Sequence, residues 1–154
     1  MKIQQLIDST RVTLGLEARE LMPALEEIAR HIAPAVGLEW SRIVDALAER
    51  ERLGSTSVGG GFAIPHCKID GLDTIWVSVA RFADGIDFGG ADGEEEQFLF
   101  VVLSPADQAS LHLQVLSQIA RLLKRADCRR DLLEARNVDA VVAAIRHHAE
   151  AERL

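Results

Sequence analysis

Residues 98–103 of the segment QFLFVVL are apolar without interruption. Successive side chains of a strand point to opposite faces, so an apolar run with no alternation is a strand covered on both sides. A sheet that contains such a strand must lie between two layers, which is the strongest constraint the chain carries. The segment TIWVSVARF, residues 74–82, meets the same condition. Ile75, Val77 and Val79 fall on one face, and Trp76, Ser78, Ala80 and Phe82 on the other. A shorter strand is expected over RVTLGL, residues 11–16.

Helical periodicity surrounds these strands. Leu21, Leu25, Ile28, Ala29 and Ile32 recur at helical spacing from Glu17 to about Ala35, with Pro34 expected to end the helix. Trp40, Ile43, Val44 and Leu47 mark a second helix from Glu39 to Arg52. His112, Val115, Leu116, Ile119, Leu122 and Leu123 mark a third from Gln108 to Lys124. Two shorter helical patterns follow, CRRDLLEA and VDAVVAAIRHH, and Asn137 fits as the cap of the second. Residues 85–95, GIDFGGADGEE, read as a turn-rich connection. The order predicts an α/β fold, a mixed β-sheet sandwiched between helical layers, as a single domain over residues 1–154. Clustering of the strands in the middle argues against a doubly wound sheet.

Composition narrows the function. A net charge of −7 gives the chain as a whole no attraction to nucleic acid. No apolar run approaches the ~20 residues of a membrane span, so the protein is not expected to be membrane-embedded. The amino-terminal residues carry charges where a signal peptide needs an apolar core. Cys67 and Cys128 have neither CxxC nor zinc-finger spacing, and a reduced cytoplasmic location is expected.

The loop GSTSVGGG, residues 54–61, ends in FAIPHC. It resembles a phosphate cradle but has no lysine after its glycines, which a Walker A loop requires. It follows a helix and enters a strand, the reverse of a dinucleotide fingerprint. Gly54 also fits a plain helix-stopping turn, with three glycines easing the backbone. That reading leaves a polar set around one loop and strand unexplained: Arg50, Ser55, Thr56 and His66. A neutral imidazole is a nucleophile at cellular pH. A phosphoryl group in transfer needs positioning, hydrogen-bond donors and positive charge, which the hydroxyls, loop amides and Arg50 could supply.

His112 opens the third helix on its apolar stripe. It is either a packed boundary residue or, if brought near His66, a second partner for a phosphoryl oxygen. Cys67 cannot readily use His66 as a base, since neighbours on a strand face opposite ways. No H-x-H or H-E-x-x-H spacing suggests a metal site, and no cofactor is expected. His31 reads as an ordinary helix residue, and His147 and His148 as a solvated helix end.

These residues carry a resemblance. ERERLGSTSVGGGFAIPHCKIDGL, followed by SPADQASLHLQVLSQIARLL, is similar to the two signatures of the enzyme IIA domains of the bacterial phosphoenolpyruvate-dependent phosphotransferase system, mannitol/fructose class. The signatures combine R-E…S-T…P-H with H-L-x-x-L, and the resemblance extends from about Val12 to Ile145. Cys67 stands where many relatives have glycine, and the Gly59–Gly61 run is unusually rich. The resemblance implies that His66 is phosphorylated on Nε2 by a histidine-containing phosphocarrier protein. It further implies that Arg50 and His112 lie beside His66, and that Ser55 and Thr56 bind the phosphoryl group. With neither a IIB nor a IIC segment present, the nitrogen-regulatory type is expected, its phosphorylation state regulating targets such as kinases or transporters. The alternative is a sugar-specific IIA subunit that passes phosphate to a IIB component. A binding module that keeps the fold without phosphorylation is less compatible with the full polar set.

Overall fold

The computed structural model describes residues 1–89, 93 and 95–154. Its strands are β1 (Val12–Leu16), β2 (Ser57–Gly59), β3 (Phe62–Ala63), β4 (His66–Ile69), β5 (Trp76–Ile86) and β6 (Glu96–Pro105). Its helices are α1 (Ile3–Leu6), α2 (Leu21–Val36), α3 (Trp40–Arg52), α4 (Ala109–Lys124), α5 (Ala126–Glu134) and α6 (Val138–Ala151). The sheet is mixed, in the order β1-β5-β6-β3-β2, with β4 pairing β6 beyond β3. β5 and β6 are antiparallel, whereas β1 runs parallel to β5 and both β3 and β4 run parallel to β6.

The uninterrupted apolar run forms the central strand, as its pattern demands. Phe98, Phe100 and Val102 enter a core beneath α4, α5 and α6. Leu99, Val101 and Leu103 enter a second core beneath α2 and α3. All six are fully buried. Each such side chain contributes about 1.5–3 kcal/mol of transfer free energy, so both helical layers are held through one strand.

β3 and β4 behave as one strand interrupted at Ile64–Pro65. Ala63 pairs with Leu99 and His66 with Val102, so the register against β6 is unchanged across the break. Pro65 has no N–H to donate, but its carbonyl accepts from Val102 N at 3.0 Å. The interruption lets the chain resume pairing at His66, at the head of β4.

The structure departs from the expected boundaries in four places. α2 begins at Leu21, because the Glu27 carboxylate accepts from Ala18 N at 2.8 Å and holds residues 17–20 outside the helix. It continues through Pro34 and stops at Gly37, whose φ of 71° closes a hydrogen bond to Ala33 O. Packing of Ala29 and Ile32 in the core overrides the proline's local preference. The glycine loop is more than a turn: β2 and β3 form an antiparallel hairpin about Gly59, Gly60 and Gly61, at φ 80°, 67° and 92°. Only glycine adopts three such angles in succession without strain. β5 continues into the expected turn-rich connection as far as Ile86; residues 90–92 and 94 of that connection lie outside the described residues.

Asn137 caps α6 as expected, its Oδ1 accepting from Ala140 N at 2.8 Å. The solvated helix end does not hold for both histidines. His147 is exposed, but His148 faces α5 and is 1% exposed, its Nε2–H donating to Asp131 at 2.7 Å. No helix among the described residues is long and apolar enough to cross a membrane.

Candidate functional site

Three elements converge at one end of the sheet. The last turn of α3 brings Arg50, the head of β4 brings His66, and the first turn of α4 brings His112. All three line a surface groove together with Lys68, Leu53 and Leu113.

The His66 imidazole is held through both nitrogens. Nδ1 lies 2.7 Å from the Ile64 carbonyl oxygen, which accepts only, so Nδ1 carries the proton. Nε2 accepts from Arg50 Nε–H at 3.2 Å. The two bonds specify one tautomer, with the Nε2 lone pair in the groove. Burial, with the Arg50 charge as a further cause, holds the imidazole below its ordinary pKa of 6.5, and the hydrogen bond to the Ile64 carbonyl and the carboxylate of Glu51 only partly oppose this. The ring is therefore neutral at pH 7.

His112 lies beside it, with ring centroids 5.5 Å apart and planes inclined at 52°. Its Nδ1 is 2.6 Å from the Ser104 hydroxyl. Burial first, then His66 and Lys68, push its pKa down to about 4, so it too is neutral. Positive charge in the groove comes from Arg50 and Lys68.

Ser55 and Thr56 make their hydrogen bonds within the loop, to the end of α3 and to Phe88. Ser55 donates to Phe88 O at 2.7 Å and accepts from Ser57 N at 3.1 Å. The Thr56 hydroxyl donates to the Glu51 carboxylate, which also accepts from Thr56 N at 3.1 Å. Among the described residues neither hydroxyl hydrogen-bonds to His66 or Arg50. Arg50 reaches the loop by its other arm, Nη1 donating to Gly54 O at 2.9 Å. Helix end, loop and imidazole are thus tied together through Arg50 and Glu51.

Cys67 turns away from His66, into the core beneath α2 and α3, where burial pushes its thiol up to about 12. A thiol shifted that far stays protonated at neutral pH and is a poor nucleophile. Of the apolar residues near the site, Val58 is exposed, while Phe62 and Leu72 are core. Leu53 and Leu113, at 83% and 66% exposed, flank the groove instead. Among the described residues no three His, Cys, Asp or Glu side chains are grouped to hold a metal ion.

Three residues of the site escape sequence reasoning. Glu51 was visible only as the neighbour of Arg50. Lys68 shares the face of His66 because it lies two residues on along β4. Ser104, wholly buried, signals itself only as the hydroxyl that breaks an apolar run.

The relationships of the chain agree with this geometry. The family model described as phosphoenolpyruvate-dependent sugar phosphotransferase system, EIIA 2, matches residues 5–148. A nitrogen regulatory protein of Bradyrhizobium diazoefficiens is 33% identical over 145 residues, 94% of this chain and 95% of the relative. A fructose-specific EIIA component of Haloferax volcanii is 38% identical over 139 residues, 86% of this chain and 90% of the relative. The crystal structure of nitrogen regulatory protein IIA-Ntr from Neisseria meningitidis superposes with a TM-score of 0.87 at 26% identity, over 93% of this chain and 98% of that one. A match of this extent, on a chain whose groove brings the expected arginine and two histidines together, leads to one conclusion: the protein belongs to the EIIA 2 family of the phosphoenolpyruvate-dependent sugar phosphotransferase system.

Proposed function

We propose that the protein is a phosphoryl carrier in which Nε2 of His66 accepts a phosphoryl group from the phosphohistidine of a histidine-containing phosphocarrier protein. Its phosphorylation state then regulates protein targets. The observation that carries this reading is the pair of bonds on the imidazole, Nδ1–H to Ile64 O and Arg50 Nε–H to Nε2. They hold a neutral ring with its nucleophilic lone pair toward the groove.

In the transfer, the Nε2 lone pair forms a bond to phosphorus as the donor's N–P bond breaks, its electrons returning to the donor imidazole. Positive charge developing on the His66 ring is stabilised through Nδ1–H by the Ile64 carbonyl. Arg50 gives up its bond to Nε2 and turns its donors to the phosphoryl oxygens, where an arginine fork fits well. Glu51, Ser55 and Thr56 hold the loop that anchors Arg50, and the hydroxyls of Ser55 and Thr56 serve the loop rather than the phosphoryl group. Leu53 and Leu113 present apolar contact surface on either side of the nucleophile, suited to a protein donor.

The regulatory branch is supported by the near end-to-end match to a nitrogen regulatory protein and by the TM-score of 0.87 to IIA-Ntr. A phosphohistidine adds roughly two negative charges at the groove, enough to change a partner's affinity by about 1–3 kcal/mol. The second reading, a sugar-specific subunit that hands the group to a IIB component, is favoured by the identity of 38% to a fructose-specific relative.

The test is a relay of phosphoenolpyruvate, the first enzyme of the system and its phosphocarrier, run with wild type and His66→Ala. The expected result is acid-labile, base-stable phosphate on wild type only. Label on His66→Ala would overturn the assignment. Onward transfer to a IIB component, with loss of growth on one sugar upon deletion, would decide for the second reading.

A further inference from the structure

His112 presents a neutral imidazole to the groove, and a neutral imidazole has one donor and one acceptor nitrogen. Phosphoryl oxygens only accept. His112 can therefore assist a phosphoryl group on His66 in just one tautomer, with the proton on Nε2. In the other, a lone pair faces the dianion.

Ser104 decides between them. It is the wholly buried residue near the end of β6, paired in register with Lys68 of β4. Its Oγ lies 2.6 Å from His112 Nδ1. Among the described residues the hydroxyl has no other hydrogen-bond partner. If His112 Nδ1–H donated to Oγ, the hydroxyl proton of Ser104 would remain buried without an acceptor. If the hydroxyl donates to Nδ1, no buried donor is left over, and only spare lone pairs of Oγ stay unpaired. An unpaired buried donor is penalised enough to favour the second arrangement by about tenfold or more.

We infer that Ser104 is a positioning residue, whose buried hydroxyl donates to His112 Nδ1 and so directs the Nε2–H of His112 at the phosphoryl site. The functional half of this inference rests on the carrier reading above. Ser104 touches no reacting atom and acts through His112 alone. The pairing is built from opposite ends of a short stretch: the strand end supplies the hydroxyl, and the helix start eight residues later supplies the ring.

The experiment measures the His112 ring nitrogens by two-bond proton–nitrogen correlation in wild type and Ser104→Ala, with no donor present. Phosphoryl uptake is then followed in both, and in each combined with His112→Gln. Wild type is expected to show Nδ1 as the bare nitrogen and Nε2 as the protonated one. Ser104→Ala should lose that preference and take up phosphate about tenfold to a hundredfold more slowly. On the His112→Gln background the same substitution should add nothing, because the ring it serves is gone. A wild-type protein with the proton on Nδ1 overturns the inference, as does an undiminished loss on the His112→Gln background, which marks Ser104 as merely structural. The tautomer is read without phosphoryl transfer, so the two readings fail separately. The expected tautomer with no uptake by wild type sinks the carrier reading and with it the purpose of the donor. Uptake with the opposite tautomer sinks the Ser104 inference alone.

Discussion

Arg50→Ala removes two hydrogen bonds, one to His66 Nε2 at 3.2 Å and one to the Gly54 carbonyl at 2.9 Å. In the proposed transfer the first is the one that passes to the phosphoryl group. A hydrogen bond from a charged donor contributes about 1.5–3 kcal/mol, which as a barrier change is roughly a ten- to 150-fold loss in rate. The same substitution removes a positive neighbour that helps keep His66 below its ordinary pKa, so the imidazole should titrate higher in the variant. Arg50→Lys retains the charge but not the Nε–H and its fork, and should fall between the two. Rapid-quench measurement of labelled phosphate uptake gives the rate, and an NMR titration of the His66 ring gives the pKa. Uptake within twofold of wild type would refute the assigned role. A large loss of rate with an unmoved His66 titration would place Arg50 in donor docking instead.

The remaining expectations concern pH and the loop. His66 and His112 both have pKa values depressed in the folded protein, His112 to about 4, so each binds its proton more readily in the unfolded chain. Their contribution to stability is complete above the unfolded value near 6.5 and is lost as pH falls from there towards the folded values. For His112 the window is about 6.5 to 4, with a slope of up to about 1.4 kcal/mol per pH unit. Denaturant titrations across that range should show a shallower acid loss for His112→Gln than for wild type, and identical slopes would contradict the burial argument. Thr56→Val leaves Glu51 without its hydroxyl donor and should cost about 1–3 kcal/mol of stability, read by denaturant. Uptake by His66 should slow only a few-fold; a collapse of uptake in a fully folded variant would mean that the Thr56 hydroxyl contacts the phosphoryl group directly.

Legibility in the sequence followed the range of the interactions. The central strand could be read from residues 98–103 because burial on both faces leaves its mark within the strand itself. Helix α6 could be read from Asn137 because a cap acts three residues away. Pro34 misled, since a local preference was overridden by Ala29 and Ile32 packing across the layer. His148 misled for the same reason: Asp131 is brought to it by another helix. In the site, Arg50, His66 and His112 stood out by residue type and spacing. The hydrogen bonds that Ser55 and Thr56 make around the loop did not, because a hydroxyl beside a phosphate loop looks the same in sequence whether it binds a ligand or folds the loop. Ser104 was silent, since its meaning depends on a ring that only the turn into α4 delivers.

The phosphorylated protein itself offers the sharpest measurement. Phosphorus–nitrogen correlation on nitrogen-15-labelled histidine identifies which ring nitrogen of which residue bears the group. The tautomer set by the Ile64 carbonyl and Arg50 requires phosphorus on Nε2 of His66, with a proton retained on Nδ1. Phosphorus on Nδ1 of His66, or on His112, would contradict it.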